Sequence, residues 1–186
     1  MRKNEFLIRL SFLHSEIKSN IHNLNYGGCG IFALMFYEEI SKILPKNKCR
    51  ISIYDRYVSI KDKKNIVKNL KNNGGNIYET DVSDLSSHHI MVKLYELQVD
   101  GYNLIPHKEK KYHSVPFKGY VTQEELEYSL RYGRWNRDYN QSQNKKLRSI
   151  IQKYFGDKRI DIKLLEKKYK LLTSDKKEIY EQHLVN

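Results

Sequence analysis

Apolar residues recur at helical spacing from the start of the chain. Phe6, Leu10, Leu13, Ile17 and Ile21 fall on one side of a 3.6-residue period, so residues 3 to 21 are predicted to form an amphipathic helix. The turn formers Asn23, Asn25, Gly27 and Gly28 follow, and a second helix is predicted from Cys29 to Leu44, stopped by Pro45. This helix differs in kind: Ile31 to Tyr37 leave no polar stripe for two turns, so its first half is expected to be enclosed by protein. Glu38, Glu39, Ser41 and Lys42 are expected to carry it out to solvent. CRISIYDRYVSI (49–60), with alternating Ile51 and Ile53, predicts a strand, and KDKKNIVKNLKNN (61–73) a short polar helix stopped at Gly74 and Gly75. HIMVKLYELQV (89–99) is the strongest strand pattern in the chain, followed by Asp100-Gly101 and a short extended YNLIP. Thr122-x-x-Glu125 opens a helix with a capping box, and helical patterns continue through SIIQKYF, IDIKLLEKKYKLL and DKKEIYEQHL. Helix, buried helix, strands, then helices is the order of an α+β protein.

Composition narrows the class. A chain of 186 residues that is 39% hydrophobic can build one core with a small appendage. No run approaches the roughly 18 apolar residues of a membrane span, and Glu5 and Arg9 interrupt what would be the core of a signal peptide. A cytoplasmic protein with no membrane partner is expected. The net charge of +12 invites a nucleic-acid partner, but the chain is rich in Lys, Asn, Ile and Tyr and has a single alanine, the bias of an AT-rich genome. A solvated basic surface is therefore the main reading and nucleic acid the minor one. Two cysteines make no disulfide framework, and with no CxxC and no Cys/His cluster of zinc spacing, no metal or cofactor is expected.

The chemistry concentrates around Cys29. A thiol in the first turn of a buried helix meets unpaired N–H groups and the positive end of the helix dipole, both of which favour thiolate. The surrounding glycines would let a substrate backbone approach. A packed structural thiol is the competing explanation. A nucleophilic thiol needs a base, and His89, heading the strongest strand, is the histidine best placed to be one. The orienting acid has two candidates. If the chain reverses at Tyr95-Glu96, register brings Asp100 opposite the neighbourhood of His89; if it reverses at Asp100-Gly101, which is better turn chemistry, Asn103 becomes the polar alternative. Asn23 and Asn25, just before Cys29, could each offer a side-chain amide to an oxyanion or simply form turns.

Cysteine at a central-helix start, histidine opening a strand and an acid in the next is the chain order of papain-like cysteine peptidases and NlpC/P60-type amidases. NYGGCGIFA, HHIMVKL, LQVDG and GRWNRDYN together resemble small phage-encoded members that carry an Asn-x-Gly-Gly-Cys-Gly motif. The resemblance covers roughly residues 20 to 140. It implies a papain-like core over 1–140, a central buried helix on a small antiparallel sheet; the basic helical extension over 141–186 lies outside the resemblance and is expected to pack on that core. It also implies Cys29 as nucleophile, His89 as base, Asp100 as orienter and Asn25 as oxyanion support, with a peptide or amide bond cleaved through an acyl-enzyme. Substrates would be a virion, host or wall peptide, met in the host cytoplasm or after packaging in the virion. One departure is that Asp100 is followed by Gly-Tyr-Asn, where a small residue and then glycine are expected. Trp135, Asn136 and Arg137 are expected to pack the extension onto the core. The alternative function is a catalytically inactive scaffold that binds a virion or host partner through its basic surface.

Overall fold

The computed structural model describes residues 1–56, 58–72, 74, 87–106, 111–112, 114–132, 139–156 and 160–170. The expected helix at DKKEIYEQHL and the segment Trp135–Arg137 lie outside these residues. Helix α1 (Lys3–Asn20) is followed by α2 (Cys29–Ile43). The second helix ends where proline chemistry requires: Leu44, next to Pro45, is extended (φ −106°, ψ 149°). Strand β1 (Cys49–Tyr54), α3 (Ile60–Asn72), β2 (His89–Leu94), β3 (Leu97–Val99), β4 (Leu104–Pro106), β5 (Lys111–Tyr112) and β6 (Val115–Val121) come next. Helices α4 (Gln123–Tyr132), α5 (Asn144–Phe155) and α6 (Ile162–Lys170) complete the described chain. The class is α+β. The strands form one antiparallel sheet in the order β4-β3-β2-β1-β6-β5.

Three local departures from the sequence pattern have physical causes. The strand expected over 49–60 stops at Tyr54, because Ser59 is a helix cap: its hydroxyl accepts the Asp62 N–H (3.1 Å) and donates to the Asp62 carboxylate. The run 89–99 is a hairpin rather than one strand, turned at Tyr95-Glu96 with Tyr95 in the left-handed region (φ 53°). Strand β6 was not expected at all, since Pro116 and Gly119 break its pattern; Gly119 (φ 132°) lies where a Cβ would stand 3.1 Å from the Ile60 side chain. The capping box at α4 forms in both directions, Glu125 N–H to Thr122 Oγ1 (3.1 Å) and Thr122 N–H to Glu125 Oε2 (2.7 Å).

Helix α2 lies across one face of the sheet, on Ile51, Ile53, Ile90, Val92, Leu94 and Val99, with α4 and α5 packed on it and α1 packed on α5. Its first half is enclosed as expected: Ile31, Phe32, Ala33, Met35 and Phe36 are buried. Its second half is not simply solvated, however. Glu39 is buried and accepts hydrogen bonds from Lys42 Nζ (2.8 Å) and Gln152 Nε2 (3.2 Å), while Arg148 reaches Glu38 (2.6 Å). These acids dock α5, whose Leu147, Ile150, Ile151 and Phe155 join the core of α1 and α2. No helix among the described residues is long and apolar enough to cross a membrane.

Phe36 is fully buried where α2 meets α5, stacked on Phe32 (5.3 Å between centroids) and edge-on to Phe155 (5.2 Å). Truncating it opens a cavity beside the Phe32 and Phe155 rings that packed neighbours cannot fill. Phe36→Ala is expected to lower the unfolding free energy by about 3–5 kcal/mol in urea denaturation; a loss below about 1 kcal/mol would mean that α2 and α5 do not form one packed unit.

Candidate active site

The N-terminus of α2 is uncapped. Gly28 in the cap position has no side chain to offer, and the first turn contains no acid, so the leading N–H groups remain available beside Cys29. Two glycines make this entry possible. Gly27 takes φ 104°, a conformation that side chains rarely adopt. At Gly28 a Cβ would stand 2.7 Å from the Leu24 carbonyl and 2.8 Å from the Tyr139 ring. Tyr139, at the end of the GRWNRDYN segment, is itself buried and its hydroxyl donates to Asn144 Oδ1 (2.8 Å). The residue just before α5 thus presses on the turn that delivers the cysteine.

His89 opens β2 and is 3% exposed; its neighbour His88 stands at the surface, Nδ1 3.7 Å from Asp55 Oδ1. The Tyr95-Glu96 hairpin returns the chain so that Asp100, fully buried, places Oδ2 3.0 Å from His89 Nε2. Nε2 is engaged by the acid, and the Cys29 side chain lies near enough to the imidazole to favour its charged form. The Tyr112 ring lies flat on the imidazole (4.1 Å between centroids, 9° between planes), and its hydroxyl donates to Asp100 Oδ2 (3.4 Å).

Asp100 is also a turn residue. Its Oδ1 accepts the N–H groups of Tyr102 and Asn103 (2.7 Å each), while its own N–H donates to the Asn103 carbonyl (3.1 Å). One carboxylate oxygen therefore closes the Asp100–Asn103 turn and the other faces the imidazole. Asn103, the other candidate for third member, donates Nδ2 to Asp100 Oδ2 (3.3 Å) and so meets the acid rather than the ring. The Gly-Tyr-Asn that follows Asp100 has its own explanation. A Cβ at Gly101 would meet Leu24 Cδ2 at 2.3 Å, and the Tyr102 hydroxyl donates to the Ile21 carbonyl and accepts the Leu24 N–H (3.1 Å each).

Asn25 and Asn23 have different environments. Asn25 Oδ1 is buried without a hydrogen-bond partner, 3.7 Å from where a Gly101 Cβ would stand. Asn23 is exposed with φ 55°, and its carbonyl closes a turn with the Tyr26 N–H (2.9 Å). A histidine not singled out in the sequence also belongs here: His14 of α1 contacts the Asp100 main chain (2.9 Å from Nε2 to the carbonyl). Its signal was a histidine on the otherwise apolar face of a helix. Among the described residues, no three His, Cys, Asp or Glu side chains come together as a metal would require.

The electrostatics follow from burial and pairing. Burial alone would discharge His89, but its hydrogen bond and charge pairing with Asp100, with the nearby Cys29 sulfur, outweigh it and hold the imidazole up at about 9. Burial pushes Asp100 up, and the His89 hydrogen bond and charge, with the Tyr102 N–H, bring it down to about 2. Cys49, buried in β1 away from such partners, is pushed up to about 12 by burial alone. No protein-family model, curated protein or solved structure matches the chain.

These shifts fix the pH dependence of stability. A histidine raised from 6.5 to about 9 contributes stability that is fully present below 6.5 and lost as pH climbs through 9. An aspartate lowered from 3.8 to about 2 contributes stability present above 3.8 and lost as pH falls toward 2. The urea midpoint is expected to decline as pH rises through 9 and, because burial also holds His14 down at about 4, as pH falls below 6.5. His89→Ala is expected to abolish the alkaline decline, and an unchanged alkaline limb in that variant would place its origin elsewhere.

Proposed function

We propose that the protein is a papain-like thiol hydrolase that cleaves a peptide or amide bond through an acyl-enzyme on Cys29. The observation that carries this reading is the buried His89–Asp100 pair, with Cys29 near the imidazole and on an uncapped helix N-terminus. In this reading the Cys29 thiolate attacks the scissile carbonyl carbon. The oxyanion that forms lies by the free N–H groups of the α2 first turn, where the Cys29 N–H and the Asn25 amide are the candidate donors. His89, protonated, gives its proton to the leaving nitrogen as the C–N bond breaks, leaving a thioester. It then takes a proton from water, hydroxide attacks the thioester, and the acid product and thiolate are released. Asp100 orients the ring and stabilises its charge throughout.

The chain order of cysteine, histidine and acid, and the resemblance of NYGGCGIFA to small phage-encoded members, extend the proposal to a protein or peptide substrate of virion or host origin. A second reading is favoured by one observation: Cys29 is 2% exposed, and Tyr112 covers a face of His89. A papain-like scaffold with a closed cleft would serve as a binding protein, with the basic surface as its contact.

Alkylation separates the two. At neutral pH iodoacetamide is expected to modify Cys29 at least about tenfold faster than Cys49, as mapped by peptide mass spectrometry, and His89→Ala is expected to erase that difference. Equal slow labelling of both cysteines, unchanged by the substitution, would favour the closed scaffold.

A further inference from the structure

His14 sits where the apolar stripe of α1 calls for a leucine. Leu7, Leu10, Ile17 and Ile21 flank it at helical spacing, all at most 1% exposed, and His14 itself is 2% exposed. An imidazole in that position destabilises the helix packing unless its polar atoms are engaged. Its Nε2 lies 2.9 Å from the Asp100 carbonyl oxygen, and a carbonyl can only accept, so Nε2 carries the proton. The charged groups around the ring are Asp100 and, one turn on, Lys18. Burial holds the ring down at about 4 despite the carboxylate, so it is neutral where His89 is cationic. A neutral donor serves this place: a second imidazolium would compete with His89 for Asp100.

With that bond every polar atom of Asp100 has a partner. The N–H is taken by Asn103, Oδ1 by two backbone N–H groups, Oδ2 by His89 and its neighbours, and the carbonyl by His14. Of the main-chain bonds of Asp100, the carbonyl bond is the one that comes from outside the 100–103 turn, and it fixes the peptide plane that follows Asp100. Tyr102 on Ile21 and Leu24, and Leu24 against Gly101, tie the same turn to the loop leading to Cys29. We infer that His14 is a positioning residue of the site: from the first helix it holds the Asp100 carbonyl and so aims the Asp100 carboxylate at His89. The first helix is then part of the chemical apparatus as well as of the core. The consequence for catalysis rests on the thiol-hydrolase reading, but the positioning itself can be read without any substrate.

The test is an NMR titration of the His89 ring in His14→Leu and His14→Gln. Leucine fills the space without a donor, whereas the glutamine amide can stand near the position of the lost Nε2–H. The His89 midpoint is expected to drop by about one pH unit or more in His14→Leu and to return to within about 0.3 unit in His14→Gln. An unmoved midpoint in a folded His14→Leu protein would overturn the inference, as would an equal drop in both variants. Should neither fold, the ring nitrogen shifts of His14 in the unsubstituted protein decide. A neutral ring protonated on Nε2 at neutral pH supports the role; protonation on Nδ1, or an imidazolium, overturns it. A responsive His89 midpoint with a Cys29 inert to iodoacetamide would uphold the positioning role and remove the hydrolase reading instead.

Discussion

The contact between Asp100 Oδ2 and His89 Nε2 is the constraint on which the site depends. Both groups are almost wholly removed from water, and either charge alone would be expensive to bury. Together each makes the other tolerable: the carboxylate keeps the ring protonated and the ring keeps the carboxylate ionised. Removing one partner would leave an uncompensated charge in the interior. Much of the surrounding architecture serves to keep this pair aligned. A hairpin closed at Tyr95-Glu96 sets the register, a turn fixes the carboxylate, and a tyrosine ring covers the imidazole.

Economy of parts is evident at the Asp100–Asn103 turn. Register favoured Asp100 as a partner for His89, while turn chemistry favoured it as a turn residue, and on the sequence these look like rivals. A carboxylate has two oxygens. One closes the turn on two backbone N–H groups and the other meets the ring, so both expectations describe the same residue. Gly101 and Tyr102 carry the same logic outward. The glycine lets Leu24 close in and the tyrosine clasps the end of α1 and the loop ahead of Cys29.

What was legible in the chain was periodic or locally capped. The α1 stripe, the apolar run of α2, the Leu44-Pro45 stop and the Thr122/Glu125 box act over a few residues and leave their mark in the order of residues. What was illegible depends on partners far away in sequence. Glu39 reads as a solvated residue until Gln152 arrives from α5. Strand β6 carries a proline and a glycine that argue against it, and is held by pairing to β1, the glycine leaving room for the Ile60 side chain. Ser59 looked like the end of a strand because its capping role shows only with Asp62. Around the candidate site, Cys29 and His89 stood out by their place at element ends. His14 did not, because its meaning lies in a carbonyl 86 residues away.

The central claim is that Asp100 governs the charge on His89, and the direct measurement is the NMR titration of the His89 ring in the unsubstituted protein and in Asp100→Asn. The asparagine oxygen can still close the turn, while its amide cannot accept from the imidazolium. The account predicts a midpoint near 9 in the unsubstituted protein, falling by at least about one unit in the variant while the fold is kept. An ordinary midpoint in the unsubstituted protein, or one that Asp100→Asn leaves in place, would contradict it.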